Sequence, residues 1–192
     1  MTNIAVASPK HRRLKRGVYI ALAHESGRYE CMNAHCWVIS SEEEKILLQK
    51  RGPKEGCFPN CYDISLAGHI DEGEDSKTAI IREAYEEGRI NIAPYLSSKP
   101  RKYYFTEKGI FNNEVFIHNQ QAFVYTVAMK NKTINKIMAG SEEVGGFELV
   151  LFSEFKELVK TKNLKLVQHP VSYYSQVIKD ITNLFNCIAA TK

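Results

Sequence analysis

The sequence predicts an α+β sandwich built on a mixed sheet, and three observations lead there. Short runs of β-branched and aromatic residues recur on both sides of the middle of the chain. A capped segment of helical length separates them, and two further helical segments follow the last run. With 192 residues the chain suits one domain with a full core and short extensions.

The elements follow in order. Residues 17–22 and 34–40 are short apolar runs of strand character, and 45–49 continues after the acidic turn of Glu42, Glu43 and Glu44. Residues 52–61, with Pro53, Gly56 and Pro59, form a loop that returns to a strand over 62–67, which runs into Gly68. A loop over 69–74 leads to a helix from Ser76 to Gly88, where Asp75 or Ser76 can cap the exposed amides and Ile80, Ile81, Ala84 and Tyr85 supply the apolar side. Strands are expected again at 102–106, 115–118 and 122–129, the last apolar enough to be central. Residues 145–152 then feed a helix over 153–160. Beyond Pro170, suited to a first turn, Tyr174, Val177, Ile178, Ile181, Leu184, Phe185 and Ile188 fall on one helical stripe, which either packs on the domain or makes a homodimer contact. The expected division is a basic N-terminal arm over 1–16, the main domain over 17–160 and a C-terminal helix over 161–192.

Composition narrows the class. Hydrophobic residues at 44% and charged ones at 25% are ordinary for a folded domain. No apolar run reaches membrane length and the start lacks a secretory stretch, so a cytoplasmic protein without a membrane partner is expected. The net charge of +4 is modest. His11, Arg12, Arg13, Lys15 and Arg16 read as a solvated arm, and without interleaved aromatics nucleic acid is not the expected partner. Five cysteines, an odd number, argue for free and mostly packed thiols rather than a disulfide framework. Neither Cys31 with Cys36 nor Cys57 with Cys61 has the tight spacing of a usual zinc pair.

Chemistry concentrates between Gly68 and Ile90. On a helix Glu83, Glu86 and Glu87 stand at i, i+3 and i+4, so three like charges crowd one face and call for a positive partner. Carboxylate clusters of this kind suit Mg2+ or Mn2+, which take carboxylate, water and phosphate oxygens together. The spacing resembles the Nudix box, G-x5-E-x7-R-E-U-x-E-E-x-G-U with U aliphatic. Gly68, Glu74, Arg82, Glu83, Glu86 and Glu87 match, Ala84 takes the first aliphatic place and Ile90 the last. One fixed position departs: Arg89 stands where the family has glycine, with Gly88 one place early, which leaves the geometry of the helix end open.

The resemblance, which covers 17–160, implies the Nudix fold, a mixed sheet sandwiched between helices. It also implies hydrolysis of a substituted diphosphate, from a nucleoside or another organic group, by a metal-activated water. Outside the box the chain looks most like the subgroup that includes isopentenyl-diphosphate isomerase. Gly27, Tyr29, His35, Gln49, Arg51, Lys54, Pro59, Tyr62, Asp63, Ser65, Gly68 and His69 fall in matching places. The isomerases need a cysteine before G-H and a glutamate further along; here Ala67 and Gln120 stand there, a methyl group and a neutral amide that is a poor acid or base. Isomerization and non-catalytic metabolite binding are therefore the alternatives to hydrolysis.

By resemblance, Gly68 (through its carbonyl), Glu83, Glu86 and Glu87 hold the metal, with Glu83 a third ligand or the base. Arg82 orients a carboxylate, and Glu74 supports the loop and Arg82. His35 and His69 are possible further ligands. Arg51 and Lys54 are candidates for the substrate's phosphates. Glu143, in an acidic loop before the last strand, is a candidate ligand or base, with a solvated loop as its other reading.

Overall fold

A computed structural model of the protein describes residues 3–7, 18–19, 29–55, 57–96, 99–111 and 114–191. Among the described residues ten strands and four α-helices follow in this order: β1 (Asn3–Ile4), β2 (Val6–Ala7), β3 (Val18–Tyr19), β4 (Glu30–Ser40), β5 (Lys45–Arg51), β6 (Tyr62–Asp63), β7 (Leu66–His69), α1 (Ser76–Gly88), β8 (Arg101–Phe111), β9 (Glu114–Met129), α2 (Asn131–Ile134), β10 (Val144–Leu151), α3 (Phe152–Lys160) and α4 (Val171–Ala190). The main sheet has the order β10-β5-β4-β9-β8, with β2 and β7 also on β4 and β6 on β5. It is mixed: β4 runs parallel to β9 and antiparallel to β2, β5 and β7.

Strand β4 is buried along its whole length. One edge pairs with β9 from Glu30 to Ser40, while the other is shared in turn by β2, β7 and β5. Alternate side chains therefore feed two apolar layers. Met32, Ala34, Cys36 and Val38 pack with Ala79, Ile80 and Ala84 of α1. Trp37 and Ile39 pack with Phe155 of α3 and Tyr173, Tyr174, Val177 and Ile181 of α4. The C-terminal helix thus lies on the sheet of its own chain, with Ile178, Leu184, Phe185 and Ile188 partly buried there.

Local chemistry explains the breaks between elements. Ser40 ends β4, its hydroxyl accepting from the amides of Glu42 and Glu43 and donating to Asn131. The strand expected over 62–67 is two strands. Ser65 interrupts it by donating to the Leu47 carbonyl and accepting from the Val38 amide, so a side chain replaces ladder bonds. The strands expected at 102–106, 115–118 and 122–129 are two long ones, β8 and β9, paired antiparallel from Arg101 with Val124 to Phe111 with Glu114.

The N-terminal arm is corrected in part. Ile4, Ala5, Val6 and Ala7 are buried, and β2 hydrogen-bonds to β4, so these residues belong to the sheet rather than to solvent. His11, Arg12, Arg13, Lys15 and Arg16 lie outside the described residues. Of the strand expected at 17–22, Val18–Tyr19 pair with Asn3–Ile4.

Candidate active site

Helix α1 starts on Asp75, whose carboxylate accepts from the Thr78 amide at 2.7 Å, a cap worth about 1 kcal/mol. It buries Ala79, Ile80, Ala84 and Gly88 against β7 and β4. Tyr85, expected on the apolar side, is 60% exposed instead, because it points away from the sheet. Burial of that one stripe turns Glu83 and Glu87 inward. Glu83 lies so close to Gly68 that any β-carbon there would overlap its carboxyl group. A side chain at this position would displace the Glu83 carboxyl group from its place against β7. Glu87 accepts from the Ala67 amide at 3.0 Å.

Arg82 gathers the remaining acids. Its guanidinium donates to Glu74 at 3.1 and 3.0 Å, to Glu83 at 2.8 Å, to Glu86 at 3.1 Å and to the His69 carbonyl at 2.9 Å, with Asp71 at 3.9 Å. Glu74 also accepts from the Asp71 amide, so it closes the loop before α1 as well as holding Arg82. Among the described residues Arg82 is the cation paired with this group of carboxylates, and the balance shows in their titration. Burial pushes Glu83 up to about 7 even though Arg82 draws it down, and Glu86 and Asp71 add to the rise. Burial likewise pushes Glu87 up to about 8 against the pull of the Ala67 amide.

Sequence reasoning did not single out Gln49 for this place. Its buried amide nitrogen has no partner in hydrogen-bond geometry, yet it lies near enough to draw the Glu87 carboxyl down. Among the described residues this donor stands beside Glu87 and is unsatisfied. A polar residue at a buried position of the run KILLQKR was the available signal. Among the described residues no three His, Cys, Asp or Glu side chains form a ready metal cage. The donor set nonetheless fits a hard divalent cation: carboxylate oxygens in excess of positive charge, two of them desolvated.

The other candidates lie around this centre or apart from it. Arg51 is turned inward, donating to the Cys57 carbonyl at 2.9 Å, Asp63 at 3.1 Å and Glu55 at 2.6 Å. These partners hold the guanidinium against the loop before β6, where the sequence offers it as a phosphate contact. Lys54 is open to solvent, 3.5 Å from Glu142. Glu143 is exposed and its carbonyl accepts from the Gly52 amide at 2.6 Å.

His35 and His69 are not brought to the box carboxylates. Strand alternation puts Gly68 on the α1 side and sends its neighbours Ala67 and His69 to the opposite side, beside His35. There His35 is fully buried with its Nδ1 2.9 Å from the Tyr173 hydroxyl. Burial, and then the charge of His169, hold it down at about 3 and keep the ring neutral. The rings of His69 and His118 stand 6.2 Å apart.

The NUDIX domain pattern matches residues 31–170. The chain belongs to the Nudix family. Nudix hydrolase 3 of Arabidopsis thaliana is 26% identical over 150 residues, which cover 78% of this chain and 19% of that protein. An uncharacterized Nudix hydrolase of Clostridium acetobutylicum is 41% identical over 73 residues, 37% of this chain and 34% of that protein. The chain thus matches well under half the length of each. A Deinococcus radiodurans protein of known crystal structure superposes with a TM-score of 0.58 at 15% identity, over 83% of this chain and 89% of that one. The MutT protein of Methanosarcina mazei gives 0.55 at 14% identity, over 80% and 94%. At such identities these structures speak for the fold alone, and it is the Nudix fold.

The departure from the Nudix box is now explained. Arg89 takes the left-handed conformation, φ 52° and ψ 31°, that the family's glycine would adopt; its amide donates to the Tyr85 carbonyl at 3.1 Å and the Ile90 amide to the Ala84 carbonyl at 3.2 Å. The helix end is conventional although the residue is not. Gly88 has a different constraint, because a β-carbon there would meet Ile137 and Leu66 at 3.1 Å.

Proposed function

We propose that this chain is a metal-dependent Nudix hydrolase that cleaves a substituted diphosphate by attack of water at phosphorus. The observation that carries the reading is the cluster of Glu83, Glu86 and Glu87 around Arg82 and against Gly68, where acids outnumber the cation. Nudix hydrolases generally use divalent ions, and Glu83, Glu86, Glu87 and the Gly68 carbonyl would hold Mg2+ or Mn2+. When bound, such an ion neutralises phosphate charge and lowers the pKa of a water.

The chain's own residues supply orientation and proton transfer. Arg82 fixes Glu83 and Glu86, Gly68 leaves room for Glu83, and the Ala67 amide fixes Glu87. A half-buried Glu83 with its pKa raised to about 7 is suited to take a proton from the attacking water near neutrality. Glu143 is the alternative base, and Lys54 the candidate for substrate phosphate.

The matches from Gly27 to His69 support placing the chain with the isomerase-like members of the family. Isomerization itself is disfavoured. Ala67 has only a methyl group, and Gln120 accepts from Asn33 at 2.8 Å and contacts His118 at 3.2 Å, a neutral amide locked in place. The test is a panel of nucleoside diphosphates and triphosphates, dinucleoside polyphosphates, nucleotide sugars, NADH and isoprenoid diphosphates with Mg2+ or Mn2+ in 18O-labelled water. At least one should be cleaved with the label on phosphate. Folded protein inactive across the panel would favour a binding role, and label on carbon would replace the proposed attack.

A further inference from the structure

The segment that carries Glu142 and Glu143 is tied down at both ends. At its start, the amide of Met138 donates to the Gly88 carbonyl at 3.2 Å and that of Gly140 to the Glu87 carbonyl at 2.8 Å. Gly140 packs so tightly on the Glu86 carbonyl that a β-carbon would overlap it. At its far end, the Glu143 carbonyl accepts from the Gly52 amide at 2.6 Å. These contacts cap the last carbonyls of the box helix with loop backbone.

Arg89 adds a second grip. Its Nη2 donates to the Gly140 carbonyl at 2.5 Å, and its guanidinium lies 5.7 Å from the centre of the Tyr85 ring. The Gly140 peptide is thus held on one side by the backbone of Glu87 and on the other by Arg89. A non-glycine residue in this left-handed conformation costs roughly 1 kcal/mol, so the backbone gains nothing from arginine at this place. What it gains is the side chain, which the family's glycine lacks.

We propose that Arg89 is a positioning residue, clamping Gly140 so that residues 140–143, with Glu143, are held at the C-terminal end of the box helix. The proposal rests on the hydrolase reading for its catalytic consequence and on geometry alone for the clamp.

The full chain is compared with Arg89→Gly, Arg89→Asn and Arg89→Lys. Glycine and asparagine tolerate the left-handed conformation, so neither should lower the melting temperature. Amide hydrogen exchange at Gly140 should rise about tenfold in both, with lysine restoring part of the protection. With ADP, a nucleotide sugar and geranyl diphosphate as probes and Mg2+ present, kcat of Arg89→Gly should fall about tenfold, with KM changed less than about twofold. Unchanged exchange in both the glycine and asparagine variants overturns the clamp. Faster exchange with unchanged kcat, or equal losses in melting temperature, kcat and KM, overturns the positioning role. If exchange responds as expected while the wild type cleaves none of the probes, the clamp holds and the hydrolase reading is the one that fails.

Discussion

The two faces of the sheet at β7 treat buried charge in opposite ways. On the α4 side Asp63 is buried, but His169 sits 2.9 Å from it and Arg51 3.1 Å away. Their charges, with the Ile64 amide, outweigh the cost of burial and bring it down to about 2. On the α1 side Glu83 and Glu87 are half-buried, yet one guanidinium shared among several acids does not balance them, and both rise well above the usual carboxylate range. A balanced cluster has its partners within the chain and serves the fold. An unbalanced one is stable only with protons or with a cation from outside, and this marks the site.

The largest test of that contrast is the pH dependence of metal-free stability. Glu83 and Glu87 bind protons more tightly when folded, with values near 7 and 8 against 4.5, so they stabilise fully below 4.5 and the contribution is lost as pH rises through 7 to 8. Asp63, lowered from 3.8 to about 2, contributes above 3.8 and loses its contribution as pH falls toward 2. His35, lowered from 6.5 to about 3, also destabilises on acidification, in the window from 6.5 down to 3. Between about pH 6.5 and 8 Asp63 and His35 no longer titrate, and the part of the change due to the box is the part that Glu87→Gln removes. Thermal melts with a chelator should show stability falling across this interval, and millimolar Mg2+ should flatten the fall. Stability that is level or rises there without metal would remove the charge imbalance.

Next in size is the balanced cluster. Asp63→Ala leaves His169 and Arg51 without their buried partner, so about 3 kcal/mol should be lost, read as a lower denaturant midpoint at neutral pH. Removing charge from the box should do the reverse. If Asp63→Ala and Glu87→Gln destabilise alike, the two faces do not differ as argued.

The box helix was legible in the sequence because its constraints are local. The acids lie on one helical face, the cap adjoins its first turn and Gly68 is close in the chain. The Nudix fold followed from the box together with the order of the elements. Features set by distant partners were not legible. Asn3–Ile4 and Val6–Ala7 are too short to show a period, and they become strands only because β3 and β4 offer edges. Arg51 looks like any basic loop residue until Asp63, twelve positions on, turns it inward. His35 and His69 look available to the box until strand alternation sends them to the other face. At Arg89 the sequence showed a mismatch and left the backbone open, since the cost of a left-handed arginine is offset by a carbonyl about fifty residues away.

Within the unbalanced face, catalysis and stability should separate. Glu83→Gln keeps the side chain's size against Gly68 and removes its charge and basicity. Turnover on whichever diphosphate is cleaved should fall about 100-fold if Glu83 is the base, with the melting temperature unchanged or raised. A loss confined to KM would instead mark Glu83 as a binding group.

The smallest effect tests the cation directly. A ligand selective for the folded state raises stability by about 2 kcal/mol when its concentration is some thirty times its Kd, so Mg2+ or Mn2+ should raise the melting temperature of the wild type measurably at pH 8. Glu86→Gln with Glu87→Gln removes two of the expected oxygen charges, and that rise should vanish. The same double variant should be at least as stable as the wild type without metal, because it relieves repulsion from Glu83 and the cost of an ionised, partly desolvated Glu87. Both halves are needed. Loss of the metal response with lower apo stability would mean that the glutamates hold the helix rather than an ion, and a metal response that survives would place the ion elsewhere. Only the paired result, less metal binding and a more stable apo protein, fits carboxylates kept together for a cation that the chain does not supply.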